Sequence, residues 1–248
     1  MTPDRWCLAD RRLYLCTADR PDLERFVDAC IRGGVDVVQL REKHLDDRAL
    51  VERALLVQRV CAYHRTPFIL NDRPDLAASI AADGVHVGQD DQSPMEARRL
   101  VGDEAIIGLS THSRAELDAA IRTLAPAPGG AGPSAPTIQY VSAGPVVPTP
   151  TKPGRPGTGL GYVRQAVERA SWPVWITGGV DPTSVLPMID AGARHFVVVR
   201  WLTEATDPGD HAHQLRMAID GAIERARERA DRNGLIEQAD DPPITGAR

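Results

Sequence analysis

The sequence predicts an α/β protein of one domain, a (β/α)8 barrel of the TIM type. Short β-like apolar runs alternate with helical patterns from one end of the chain to the other, eight times. Several of these runs, such as "FIL" and "HFVVVR", are continuously apolar, as parallel strands covered on both faces require. The length of 248 residues suits one such barrel. The strand candidates are 13–17, 35–41, 68–71, 84–88, 105–110, 140–144, 174–177 and 195–200. An open doubly wound sheet would carry a glycine fingerprint after its first strand. Here that strand runs into "CTADRPD", so the closed barrel is preferred.

The helices between the strands show apolar stripes. Leu23, Phe26, Val27, Cys30 and Ile31 recur at helical spacing, as do Leu117, Ala120, Ile121 and Leu124. Val185, Met188 and Ile189 make a third stripe, and Leu215, Ala218, Ile219 and Ala222 a fourth. Ser93-Pro94-Met95-Glu96 reads as a capping box with proline at the first helical position. Ser113 to Glu116 reads as a second box, and Asp181-Pro182 and Asp207-Pro208 as cap-plus-proline starts. Residues 126–137, "PAPGGAGPSAPT", read as a flexible connection on the N-terminal face, away from the chemistry. The barrel is expected to span 1–228. Apolar periodicity fades over 229–248, which reads as a disordered tail.

Composition narrows the function. Hydrophobic residues make up 42% and charged residues 25% of the chain, ordinary for a globular protein. A net charge of −5 argues against coating nucleic acid or acidic lipid, and 4% aromatic residues against a base-stacking surface. Cys7, Cys16, Cys30 and Cys61 form no C-x-x-C pair, so zinc is not expected, and Cys16 and Cys30 read as core residues. Residues 1–10 lack the apolar centre of a signal peptide, and no apolar run is long enough to span a bilayer. The expected location is the cytoplasm and the expected partners are small molecules. A homo-oligomer remains open.

Polar residues collect where strands end, and barrel enzymes place their active sites at the C-terminal strand ends. Gln39, Arg41 and Lys43 are spaced two apart and share one side of an extended strand, with Leu40 turned toward the helices. This fork of donors suits a pyrophosphate, although "REK" alone also fits a solvated strand end. The third strand ends in Asn71-Asp72, the fourth in Gln89, Asp90 and Asp91. Carboxylates from neighbouring strand ends can share Mg²⁺, which prefers oxygen ligands and phosphates. Asp72 also reads as a cap before Pro74. Ser110 can bond a substrate, and His112 reads either as a base or as a solvated loop residue. His86, mid-strand, reads as a satisfied core histidine. The long stretch "GPVVPTPTKPGRPGTGLG", with Thr149, Thr151 and Lys152, reads as an active-site lid. Gly178-Gly179 and Val199-Arg200 close the strands whose loops form this fold's recurrent phosphate site.

The motifs "QLREK", "NDRPDLA", "GVHVGQDD", "GLSTHS", "VSAGPVVPTPTK" and "ITGGV", in this order from about Leu13 to Ile219, resemble those of the thiamine phosphate synthase family. The resemblance implies a transferase of thiamine biosynthesis. It would condense 4-amino-2-methyl-5-(diphosphooxymethyl)pyrimidine with 4-methyl-5-(2-phosphooxyethyl)thiazole and release pyrophosphate. It implies that Gln39, Arg41, Lys43 and Asn71 hold the pyrimidine diphosphate, with Leu40 and Glu42 in the same binding segment. Asp72 and Asp91, rather than Asp90, would bind the cofactor Mg²⁺. Ser110 would contact the pyrimidine and Lys152 the diphosphate. Thr149, Pro150, Thr151, Gly179, Val199 and Arg200 would surround the thiazole phosphate. Arg41, Lys43, Ser110 and Lys152 are the implied catalytic set. Family members often carry serine at the position of Arg200. A thiazole tautomerase on the same barrel, with His112 as its base, and a thiamine phosphate sensor are the alternatives.

Overall fold

The computed structural model describes residues 6–124, 137–150, 154 and 156–239. Eight parallel strands close into a barrel in sequence order: β1 (Leu13–Thr17), β2 (Val37–Leu40), β3 (Phe68–Asn71), β4 (Gly84–Val87), β5 (Ile106–Thr111), β6 (Tyr140–Ala143), β7 (Val174–Thr177) and β8 (His195–Val198). The intervening helices are α1 (Leu23–Arg32), α2 (Asp47–His64), α3 (Pro74–Ser79), α4 (Pro94–Val101), α5 (Arg114–Leu124), α6 (Gly159–Arg169) and α7 (Val185–Asp190). After β8 come a single turn, α8 (Arg200–Thr203), and the long α9 (Pro208–Ala239). The ring closes where β1 pairs with β8, Leu13 opposite Phe196.

The strand alternation divides the core into two layers. In β1, Leu13 and Leu15 pack outward among the helices, while Tyr14 points into the barrel. Inside, Tyr14, Val37, Ile69, Ile106, Tyr140 and Trp175 fill the lower barrel, and Leu8 joins them from a 3₁₀ turn, Leu8–Asp10, that precedes β1. Trp6 packs against this plug and donates from its indole to Asp83 at 3.2 Å. At the closure, α9 lies against α1, and Arg216 of α9 pairs with Asp36 at 2.9 Å.

Local signals account for most helix starts. Ser93 and Glu96 complete the capping box of α4. Asp207 accepts from the amide of Asp210 at 3.0 Å at the start of α9. The Ser113 box forms only by half. Ser113 Oγ accepts from the Glu116 amide at 3.2 Å, but the Glu116 carboxylate turns to His112, whose amide reaches it at 2.7 Å. Three expectations need correction. The second and eighth strands are shorter than 35–41 and 195–200, and Arg200 opens α8 instead of ending β8. The supposed α7 start at Asp181-Pro182 is a turn, with the helix proper beginning at Val185. The chain does not lose structure at 229: α9 continues to Ala239, and Arg229 pairs with Asp190. Residues 126–136 and 240–248 lie outside the described residues. Among the described residues, no helix is long and apolar enough to cross a membrane.

Candidate active site

A cavity of about 410 Å³ opens at the C-terminal ends of the strands. Gln39, Arg41, Asn71, Ser110, Thr149, Gly179, Val199 and Arg200, all singled out in the sequence, line it. Strand alternation and strand-end position put them there. Gln39 of β2 faces the barrel interior beside Cys16 of β1, and Ser110 of β5 lies beside Ser142 of β6. Arg41, one residue past β2, is anchored through its amide to the Thr17 carbonyl at 2.7 Å. Its guanidinium has no carboxylate partner among the described residues, so it is available to an anion in the cavity.

Next to Asn71, the chain places a second charged group. Asp72 adopts a left-handed backbone, φ 61°, which turns it from the strand direction. Lys43 Nζ lies 3.0 Å from its carboxylate. Asp91 neighbours Asp72, and its Oδ2 takes the Gly88 amide at 2.7 Å. Partial burial raises the Asp91 carboxyl above its ordinary value, and the neighbouring Asp72 carboxylate raises it further. Two facing acids, one reluctant to ionise, are the donor set a divalent cation would relieve. Among the described residues no group of three or more acidic, histidine or cysteine side chains converges on one point. Mg²⁺ accepts such a sparse site, because it takes one or two carboxylates and fills its remaining positions with water and phosphate. The residues present therefore fit Mg²⁺.

Lys43, Asp72 and Asp91 are not among the residues lining the cavity, and other residues from the sequence reading also fall outside its wall. Leu40 is fully buried in the layer between sheet and helices. The Glu42 carboxylate accepts from the amides of Asp19, Lys43 and His44 at 3.2, 2.7 and 2.8 Å. Partial burial pushes that carboxyl upward, but the backbone donors outweigh it and hold the carboxyl below its usual range. Pro150 is exposed, and Thr151 and Lys152 lie outside the described residues. His112 sits away from the main cavity with its Nδ1 3.1 Å from Glu116.

At the opposite wall, β7 ends in Gly178 and Gly179, with φ of 95° and 76°. Both values favour glycine, and a Cβ on Gly179 would strike Val147 of the β6–α6 loop. This turn, Val199 and Arg200 line the cavity, as do Arg41 and Asn71. Sequence reasoning missed Tyr14, Cys16, Tyr140, Ser142, Trp201 and His211, which also line it. The signal for the first four was present: Tyr14 and Cys16, and Tyr140 and Ser142, are polar pairs at the two-residue spacing of one strand face.

Fold and site define a (β/α)8-barrel enzyme with a polar cavity at the C-terminal ends of its strands. A family profile described as thiamine monophosphate synthase matches residues 13–202. The chain is 40% identical over 219 residues to the thiamine-phosphate synthase of Acidothermus cellulolyticus, covering 87% of this chain and 98% of that protein. It is 44% identical to the thiamine-phosphate synthase of Thermus thermophilus, covering 85% and 98%. Among solved structures, a thiamine phosphate pyrophosphorylase from Pyrococcus furiosus superimposes with a TM-score of 0.72 at 25% identity, covering 86% of this chain and 96% of that one. The chain belongs to the thiamine monophosphate synthase family.

Proposed function

We propose that this cavity joins an aminopyrimidine methyl diphosphate to a thiazole ethyl phosphate, forming thiamine phosphate and pyrophosphate. The observation that carries the reading is the pairing of two anion sites in one cavity of a chain from this family. At one side Arg41 and Asn71 line the cavity, with Lys43 and the carboxylates of Asp72 and Asp91 next along the chain or beside them. At the other stands the left-handed Gly178-Gly179 turn, whose backbone a phosphate can approach closely.

In this reading the bond between the pyrimidine's methylene carbon and the diphosphate oxygen breaks, and the diphosphate departs with the electron pair. The thiazole nitrogen then gives its lone pair to that carbon. The electron-rich ring supports positive charge on the methylene, so a dissociative course is accessible. Arg41 and Lys43 hold the departing diphosphate and stabilise its growing charge, the role that the family resemblance also gives Lys152. Asp72 and Asp91 would hold Mg²⁺, which supplies further charge neutralisation at the phosphates. Gln39, Asn71 and Ser110 orient the pyrimidine, and Thr149, Gly179, Val199 and Arg200 surround the thiazole phosphate, a group to which the family resemblance adds Thr151. The tie between His112 and Glu116, away from the cavity, disfavours the tautomerase alternative.

The test is product detection with both substrates and Mg²⁺, omitting each component in turn. Thiamine phosphate should appear only in the complete mixture. Isomerisation of the thiazole alone, or binding without turnover, would replace this reading with the tautomerase or the sensor.

A further inference from the structure

A line of hydrogen bonds runs across the barrel beneath the cavity. Cys16 Sγ donates to Gln39 Oε1 at 3.1 Å, and Gln39 Nε2 donates to the Tyr14 hydroxyl at 2.9 Å. The Tyr14 and Tyr140 hydroxyls are 2.9 Å apart. The Tyr140 hydroxyl lies 2.9 Å from His86 Nδ1, and His86 Nε2 lies 2.9 Å from Ser110 Oγ. All of these side chains are buried.

One end of this line has a fixed direction. An amide N–H can only donate, so the Tyr14 oxygen accepts from Gln39. Tyr14 then gives its own hydrogen to Tyr140, and Tyr140 gives its hydrogen onward to His86 Nδ1. Both phenols keep their hydrogens, because burial pushes each well above the usual tyrosine value. A neutral imidazole that accepts at Nδ1 carries its hydrogen on Nε2. That hydrogen goes to Ser110 Oγ, which also accepts from Ser142 Oγ at 3.4 Å. The hydroxyl hydrogen of Ser110 is left with no acceptor among the described residues, and Ser110 lines the cavity.

We propose that Gln39, Tyr14, Tyr140 and His86 form a one-way relay that holds His86 as its Nε2–H tautomer and sets Ser110 as a hydrogen-bond donor into the cavity. The matching acceptor is a lone pair on a heteroaromatic ring, a nitrogen of the aminopyrimidine; only this last assignment rests on the proposed function. Tyr14, Tyr140 and His86 are positioning residues in this scheme, acting through Ser110. Reversing any one of them would turn Ser110 into an acceptor and present a lone pair where the ring also has one. That repulsion is the physical reason for an ordered line instead of a set of independent hydroxyls.

Nitrogen-15 spectra of the histidine-labelled, ligand-free protein read the tautomer directly, with His86 assigned by the loss of its signals in His86→Asn. The expected result is a bare Nδ1 and a protonated Nε2. Tyr140→Phe removes the donor to Nδ1 and should move the ring toward a mixture of tautomers. The same variant should lower kcat on the order of tenfold and leave KM for the diphosphate substrate within about twofold. Tyr14→Phe, one bond further back, should do the same to a smaller extent. Protonated Nδ1 in the wild-type protein would overturn the relay, and so would Tyr140→Phe with tautomer and kcat both unchanged. If Tyr140→Phe does not fold, the wild-type tautomer decides alone. A wild-type protein with the expected tautomer but no synthase activity would uphold the relay and reject the substrate assignment.

Discussion

Gly108 of β5 leaves the space in which Tyr140 meets His86: a Cβ built on it would run into the Tyr140 ring and lie 2.5 Å from His86 Nδ1. The strand register puts Gly108 opposite His86 on one side and Tyr140 on the other, so no side chain fits between them. Gly108→Ala should therefore overpack the barrel interior at a cost of about 1–3 kcal/mol. Urea unfolding reads this as a lower midpoint at constant slope. An unchanged midpoint would mean that the tyrosine can move aside.

The facing acids give the metal prediction. Asp91→Asn keeps an oxygen for the Gly88 amide but removes a charge from the cation site. Turnover should fall on the order of 10²-fold or more, with partial recovery at higher Mg²⁺. Asp90→Asn should be far milder, since Asp91 and not Asp90 faces Asp72. EDTA should abolish wild-type activity and Mg²⁺ should restore it. Full activity in the chelated enzyme and in both variants would remove the cation from the mechanism.

Arg41 and Lys43 should differ in effect. Lys43 is bound to Asp72, whereas Arg41 meets no carboxylate among the described residues. Arg41→Ala should raise the Kd for pyrophosphate in metal-free titrations by about tenfold, the loss of one charge-assisted contact. Lys43→Ala should change it less, because Lys43 must first leave Asp72. The reverse order in calorimetry would show that the lysine is the primary anion ligand.

Gly179→Ala tests the opposite wall. Its left-handed backbone and the approach of Val147 mean that an added methyl shifts the β6–α6 loop. Thiazole phosphate should bind more weakly while the pyrimidine diphosphate is affected little. Equal weakening of both ligands, read by separate titrations, would indicate a general distortion instead.

The barrel strands were legible to within a residue or two because a parallel strand buried on both faces is a continuous apolar run, and such runs stand out between charged helices. The strand-end residues Gln39, Arg41, Asn71 and Ser110 were legible for the same reason: they interrupt those runs. The relay was not. Tyr14 and Tyr140 are large and mostly apolar, so within a strand they look like core, and only the closure of the sheet brings their hydroxyls together. The contacts of Glu42 with the amides of Asp19, Lys43 and His44 are not legible either, because they depend on how the strand exit folds back on the β1 loop. The helix beyond 229 is not legible because its tie to the barrel, Arg229 with Asp190, joins residues far apart in sequence.

Closure between β1 and β8 has a consequence for how the chain is made. The bond from the Phe196 amide to the Arg12 carbonyl and the pair between Arg216 and Asp36 each join the first strand's neighbourhood to the last stretch of sequence. A ribosome delivers that stretch only after the seven preceding strands. Until then β1 and β7 present bare strand edges, each able to template pairing with another chain. The seam that completes the vessel is thus also its longest exposure to aggregation, and any truncation before β8 would make that exposure permanent.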